Sequence, residues 1–198
     1  KIAVTAVKVS IPAIIMQMYA RQEYGPDQTT RFDKFTVSLT HPDGVAAMLS
    51  GHHEVNLHYT SPPFFLRELR DPKIHTIQTS DDVMGGSTTF TMLYTTSKFH
   101  DENPKTYKAL LDALTEAIKI INSDKRAAAK LFLEMSGAKG WTEDEIFENL
   151  SRPDIHFTTS PQNVMKYANF MADVGTLKVR PASWKDLFFP EIHSVDGN

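Results

Sequence analysis

Cysteine is missing from this 198-residue chain. Its absence excludes disulfides, thiolate metal sites and cysteine nucleophiles. It suits an exported protein that avoids stray thiols, and equally a cytosolic one. No apolar run approaches the roughly 20 residues that a bilayer-spanning helix needs. No signal-peptide pattern is present, so any export signal is expected to have been removed or never to have existed. Glycine signatures are scarce as well. With nine glycines in all, the chain has no Walker loop, no dinucleotide fingerprint and no Gly-x-Ser-x-Gly nucleophile elbow. Nor is there an excess of positive charge: the formal net charge is −3, which argues against a nucleic-acid partner. What is present, 41% hydrophobic and 23% charged residues, is ordinary globular composition on a length that allows one large domain or two small lobes.

The stretch around which the rest is organised comes first. Ile2, Ala3 and Val4 form a short apolar run that reads as a buried strand. Ser10 offers an N-cap hydroxyl, Pro12 sits in the first turn, and Ile11, Ile14, Ile15 and Met18 follow at helical spacing. A strand thus runs straight into a helix. Its N-terminal amides and dipole can seat an anion, and strand-to-helix junctions are where open α/β sheets collect ligands. The same residues also read as a plain cap on a core helix.

Taken in order, the first helix is expected over residues 10–24, stopping at Gly25-Pro26. Residues 35–39 and 54–59 alternate like strands, with Val55, Leu57 and Tyr59 on one face. Between them Thr40-His-Pro-Asp43 resembles a capping box, opening a helix that turns Val45, Met48 and Leu49 inward and ends at Gly51. A short helix carrying Phe64, Phe65, Leu66 and Leu69 follows Thr60-Ser61-Pro62-Pro63, and residues 73–77 read as a fourth strand. Such βα alternation predicts a mostly parallel α/β sheet. Ser80 to Gly86 interrupts the pattern as a turn or hinge, and residues 88–95 read as a further strand. Thereafter the chain is helical: a long helix opened by Asn103 and Pro104 with the apolar stripe Tyr107, Leu110, Leu111, Leu114, Ala117, Ile118 and Ile121; a second over 123–136; a third opened by the Thr142–Glu145 capping box; and a fourth opened by Ser160-Pro161 that turns Val164, Tyr167, Ala168 and Met171 inward. Trp184, Phe188 and Phe189 predict a docked tail. The division falls near residue 87, giving 1–87 as an α/β part and 88–198 as a helical part.

Chemistry is sparse. The eight histidines show no metal-ligand spacing, and the adjacent His52 and His53 would face opposite ways in a strand. Asp81 and Asp82 read as a solvated turn, and the methionines at helical spacing (Met16, Met18, Met165 and Met171) as core filler. No metal, cofactor or catalytic constellation is expected, so the chain does not read as an enzyme. Two strand ends bear hydroxyls beside helix starts, Val9-Ser10 and Thr60-Ser61, and Phe64 can line an apolar wall. That combination suits binding of a small anion or polar molecule.

KIAVTAVKVSIPAIIMQM, the segment HPDGVAAMLSG…EVNLHYTSPPF and TSKFHDENPKTYKALLDALTEAI together resemble the substrate-binding proteins of ABC importers. The group is the nitrate/sulfonate/taurine type, allied to thiamine-precursor-binding proteins. The resemblance implies a type II periplasmic-binding fold of two α/β lobes. Residues 1–87 would be the second lobe, 88–198 a crossing strand and helices returning to the first, and the N-terminal part of the first lobe lies outside this sequence. It implies a small anionic organic solute held in the interlobe cleft by Lys8, Val9, Ser10, Thr60, Ser61 and Phe64, with Gly85 and Gly86 at the hinge. It further implies a membrane permease as partner and a periplasmic or lipid-anchored location. A dimer is expected if the helical face is bare. Two relatives of the fold offer alternatives: a ligand-sensing domain of a transcription regulator, for which no basic helix-turn-helix is visible, and a thiamine-precursor synthase, whose cysteine-rich iron motif is lacking. A small α/β hydrolase would need a paired nucleophile and base, and none is visible.

Overall fold

The computed structural model describes residues 1–51, 54–137 and 140–198; His52 and His53 lie outside the described residues. The protein is of mixed α/β class, and its chain divides into two compact units, Lys1–Ser87 and Thr88–Asn198.

Unit one is built on three parallel strands, β1 (Ile2–Val4), β2 (Thr36–Ser38) and β3 (Leu57–His58), in the order β2-β1-β3. Ile2 pairs with Thr36 on one side and Leu57 on the other. The all-apolar Ile2, Ala3 and Val4 are buried, as a central parallel strand requires. Helix α1 (Ile11–Tyr24) starts where expected: the Ser10 side chain accepts from the Ala13 N–H, and Pro12 occupies the first turn, where no donor is missed. It ends at Gly25, whose N–H donates to the Arg21 carbonyl. Helix α2 (His41–Ser50) is capped by Thr40, which accepts from the Asp43 N–H and donates to the Asp43 carboxylate. The core is formed by Val4, Met16, Val83 and Met84, with Ile14, Ile15 and Met18 beside them.

Several expectations for this unit are corrected. Residues 73–77 form no strand: the Lys73 and Ile74 amides are turned back onto Asp71, and Ile77 is exposed. Ser80-Asp81-Asp82 is not a solvated turn. Ser80–Met84 is helix α4, opened by a reciprocal capping box between Thr79 and Asp82. Gly85 and Gly86 close it: Gly85 is left-handed (φ 73°, ψ 28°) and both amides donate to the Asp81 carbonyl. Leu49 on α2 is exposed rather than inward, and Leu69 lies just past α3 (Phe64–Glu68) rather than on it. In β3, Leu57 is exposed and His58 is the side chain packed inside, so the predicted face is reversed there.

Unit two is helical: α5 (Ser97–Glu102), α6 (Pro104–Ser123), α7 (Lys125–Ser136), α8 (Glu143–Ser151) and α9 (Val164–Asp173). Helices α7 and α8 pack through Ala129, Ile146 and Leu150, with Trp141, Phe147 and Phe157 around them. Thr142 and Glu145 cap α8 reciprocally, as expected. Helix α7 starts at Lys125 rather than at Ser123, capped by Asp124. Helix α9 begins at Val164 rather than at Ser160, because Asn163 turns left-handed (φ 54°) immediately before it. Val164, Tyr167 and Ala168 are buried as expected, and Phe170 joins them. The tail docks: Trp184 is buried, the Asn198 carbonyl accepts from the Val164 N–H, and the Asn198 N–H donates to Pro161. Residues 88–95 are not a strand. Thr89 exchanges two hydrogen bonds with Gln162, and the segment is otherwise irregular, with Tyr94 91% exposed.

Candidate functional site

Because the three strands are parallel, the loops that follow them emerge at one edge of the sheet. After β1 come Lys8, Val9 and Ser10; after β2, Thr40 and His41; after β3, Tyr59, Thr60, Ser61 and Phe64. The structure therefore brings Ser10 and the Thr60-Ser61 pair to the carboxyl ends of neighbouring strands, the usual ligand position of open α/β sheets.

The predicted residues play unequal parts. Lys8 is exposed and left-handed (φ 70°), a conformation that a side chain of its kind seldom adopts. Val9 is exposed. Ser10 is committed to its own turn: its hydroxyl donates to the Ala6 carbonyl at 2.7 Å and accepts from Ala13. Its one donor is taken, so it holds the loop in shape and has only acceptor capacity left. Thr60 is the opposite case. Its Oγ1 is buried with no hydrogen-bond partner among the described residues. Ser61 is buried, and its carbonyl accepts from the Phe64 N–H at the start of α3. Gly85 and Gly86 lie outside this edge, at the end of α4.

Sequence reasoning missed the most organised polar group in the unit. His58, on β3, donates from Nδ1 to Glu68 of α3 at 2.6 Å, with both side chains almost wholly buried. Its other nitrogen, Nε2, lies 3.4 Å from Nδ1 of His41 at the start of α2. The His41 ring stacks on Phe64, centroids 5.5 Å apart. Burial first, and then the neighbouring His58, holds the His41 imidazole below its ordinary value. Next along β3, the Tyr59 hydroxyl donates to Gln78 and is pushed up to about 12 by burial. The available signal was His58 in a strand among apolar neighbours with an acidic residue ten positions on. Nothing in the spacing of His41, His58 and Glu68 reveals that three separate elements bring them together. Among the described residues no group of three His, Asp or Glu side chains is arranged to hold a metal.

Comparison of the chain with protein-family models, curated proteins and solved structures finds no match.

Proposed function

We propose that the chain is the solute-binding component of an ABC importer: a non-enzymatic protein, periplasmic or lipid-anchored, that captures a small anionic organic solute and delivers it to a membrane permease. The observation that carries the reading is the unpartnered, buried Thr60 hydroxyl at the carboxyl edge of a parallel sheet. A buried hydroxyl without a partner costs about 1–3 kcal/mol, and a bound solute that accepts its hydrogen bond would recover that cost. Phe64 and the His41 ring stacked on it stand on the loops of the same edge, and Lys8 stands on the loop after β1. The sulfonate or carboxylate headgroup of a small organic anion fits a hydroxyl donor, a lysine and an aromatic ring together. His58 meets another imidazole, not a hydroxyl nucleophile, at its second nitrogen, which favours binding over hydrolysis.

The test is a thermal-shift and calorimetric screen of the full chain against alkyl sulfonates, nitrate, bicarbonate and aromatic carboxylates. A solute at a hundredfold excess over its Kd stabilises the native state by about 2.7 kcal/mol. Thr60→Val separates the roles of the hydroxyl. It should leave the free protein as stable or more stable, because it removes an orphaned polar group. It should weaken the captured solute by about 1–3 kcal/mol, the range for a hydrogen bond to a charged group. A variant that binds as tightly as the parent would move the headgroup elsewhere, and a screen with no stabilising anion would overturn the reading.

A further inference from the structure

Of the Glu68–His58–His41 chain the solute-binding reading uses only the His41 ring that stacks on Phe64, yet the whole chain ties together the three elements that flank the candidate edge. Glu68 lies on α3, His58 on β3 and His41 at the first position of α2. The two residues after His58 are Tyr59 and Thr60, and the ring beneath His41 is Phe64. Any change in this chain therefore acts directly on the loop over residues 60–64.

Its hydrogen-bond logic is strict. The Glu68 carboxylate accepts, so Nδ1 of His58 must carry a proton. Between Nε2 of His58 and Nδ1 of His41 one nitrogen must donate and the other accept, so a single proton lies between the rings whichever ring owns it. A proton on both nitrogens replaces attraction with repulsion between two N–H groups 3.4 Å apart. The His58 side chain is only 1% exposed and cannot retreat. Gly44 of α2 presses on the ring: a Cβ there would lie 2.5 Å from Cε1 and Nε2. His41, half-buried, is the ring that can move.

We propose that the chain is an acid-operated catch on the candidate site: a second proton entering the imidazole pair breaks the His41–His58 bond and releases the start of α2 from the loop over residues 60–64. The groups facing His41 accord with this. From β3 comes His58, which disfavours its protonation, and from α3 comes Glu68, which favours it. Arg67 is the other charged residue of α3, Asp43 of α2 is engaged with Thr40, and β1 contributes no titratable side chain. Desolvation is the largest influence and opposes the charge. The catch is therefore closed at neutral pH and opens on acidification below the ordinary imidazole value of 6.5. It would regulate the edge that the solute-binding reading uses, but its test needs no ligand, so either can fail while the other stands.

The experiment is a pH titration of the full chain from 8 to 4.5, following histidine ring resonances and backbone amides by NMR. The expected result is a His41 midpoint below 6.5, with the Thr60 and Phe64 amides shifting at the same midpoint. In His41→Phe, which keeps a ring over Phe64, those amide shifts should vanish. In Glu68→Gln, which keeps the shape and removes the charge that favours His41 protonation, the His41 midpoint should fall further. A His41 midpoint at or above 6.5, or amides of residues 60–64 that do not follow it, would overturn the proposal. If His41→Phe fails to fold, the direction of the Glu68→Gln shift decides, and a midpoint unchanged or raised refutes the coupling.

Discussion

At the residue scale, two side chains show how a position's chemistry is set by what surrounds it. Ser10 is a hydroxyl beside a strand end, which from sequence alone serves equally as cap or ligand donor. Its hydrogen bonds to Ala6 and Ala13 make it a cap. Ser10→Ala should accordingly cost about 1 kcal/mol of stability, the usual loss of an N-cap, measured by chemical denaturation. A change much smaller than that would mean that α1 does not depend on this cap. Gly44 is the second case. Inside an exposed helix Gly→Ala stabilises by up to about 1 kcal/mol. Here the new methyl would press into the buried His58 ring, 2.5 Å away against backbone that packs on β3. Overpacking of a fixed core typically costs 1–3 kcal/mol, so Gly44→Ala should be net destabilising by about 1–2 kcal/mol in the same assay. A stabilised variant would show that His58 has room to withdraw and that the catch is looser than its geometry implies.

At the element scale, the parts that the sequence made legible are those whose signal is local. Helix caps are read from three or four consecutive residues, and α1, α2 and α8 begin at Ser10, Thr40 and Thr142 as expected. The failures all need a distant partner. Residues 73–77 and 88–95 have the β-branched and aromatic composition of strands, but a strand exists only where another edge accepts its hydrogen bonds along its length; among the described residues neither segment joins a sheet, and 88–95 is tied only at Thr89. The His41–His58–Glu68 chain was illegible for the same reason, since it is assembled across α2, β3 and α3. One long-range tie in unit two carries its own prediction. His100 of α5 donates to Asp101 and to Glu191, stacks on Phe189, and so links α5 to the short helical turn Pro190–Ile192. Those two carboxylates hold its imidazole above the ordinary value. A raised folded-state value means that the stabilisation is fully present below pH 6.5 and is lost as pH rises through the folded value. Amide-exchange protection over residues 188–193 should therefore decline as pH climbs from about 6.5 into the alkaline range, once corrected for intrinsic exchange. His100→Gln should remove that dependence, and protection that is flat with pH in the parent would refute the link.

At the scale of the whole molecule, the two units differ in how completely they bury what they carry. Unit one encloses its central strand and half of the residues of α1. In unit two the longest helix, α6, has no buried residue at all. Of its apolar stripe, Tyr107, Leu111, Ile118 and Ile121 are half-buried, while Leu110 and Leu114 are exposed. Helix α7 adds Leu131, Phe132 and Met135, the last 79% exposed, and the irregular segment before α5 adds Phe90, Met92, Leu93 and Tyr94. Single exposed apolar residues are ordinary, but α6 and α7 pack on each other, and this many bare apolar side chains on two packed helices is more than monomers usually present to water. An amphipathic helix gains most of its stability from covering its apolar face, so a face left this bare favours association with whatever apolar surface is at hand. For the isolated chain the available surface is another copy. Sedimentation velocity should show association that grows with protein concentration, and Leu110→Glu with Leu114→Glu should return the sample toward monomer without loss of helical circular dichroism. Two charges on that ridge oppose desolvation and cost little where the side chains already meet water. A parent chain that stays monomeric at every concentration would show that the bare ridge of α6 is no association surface.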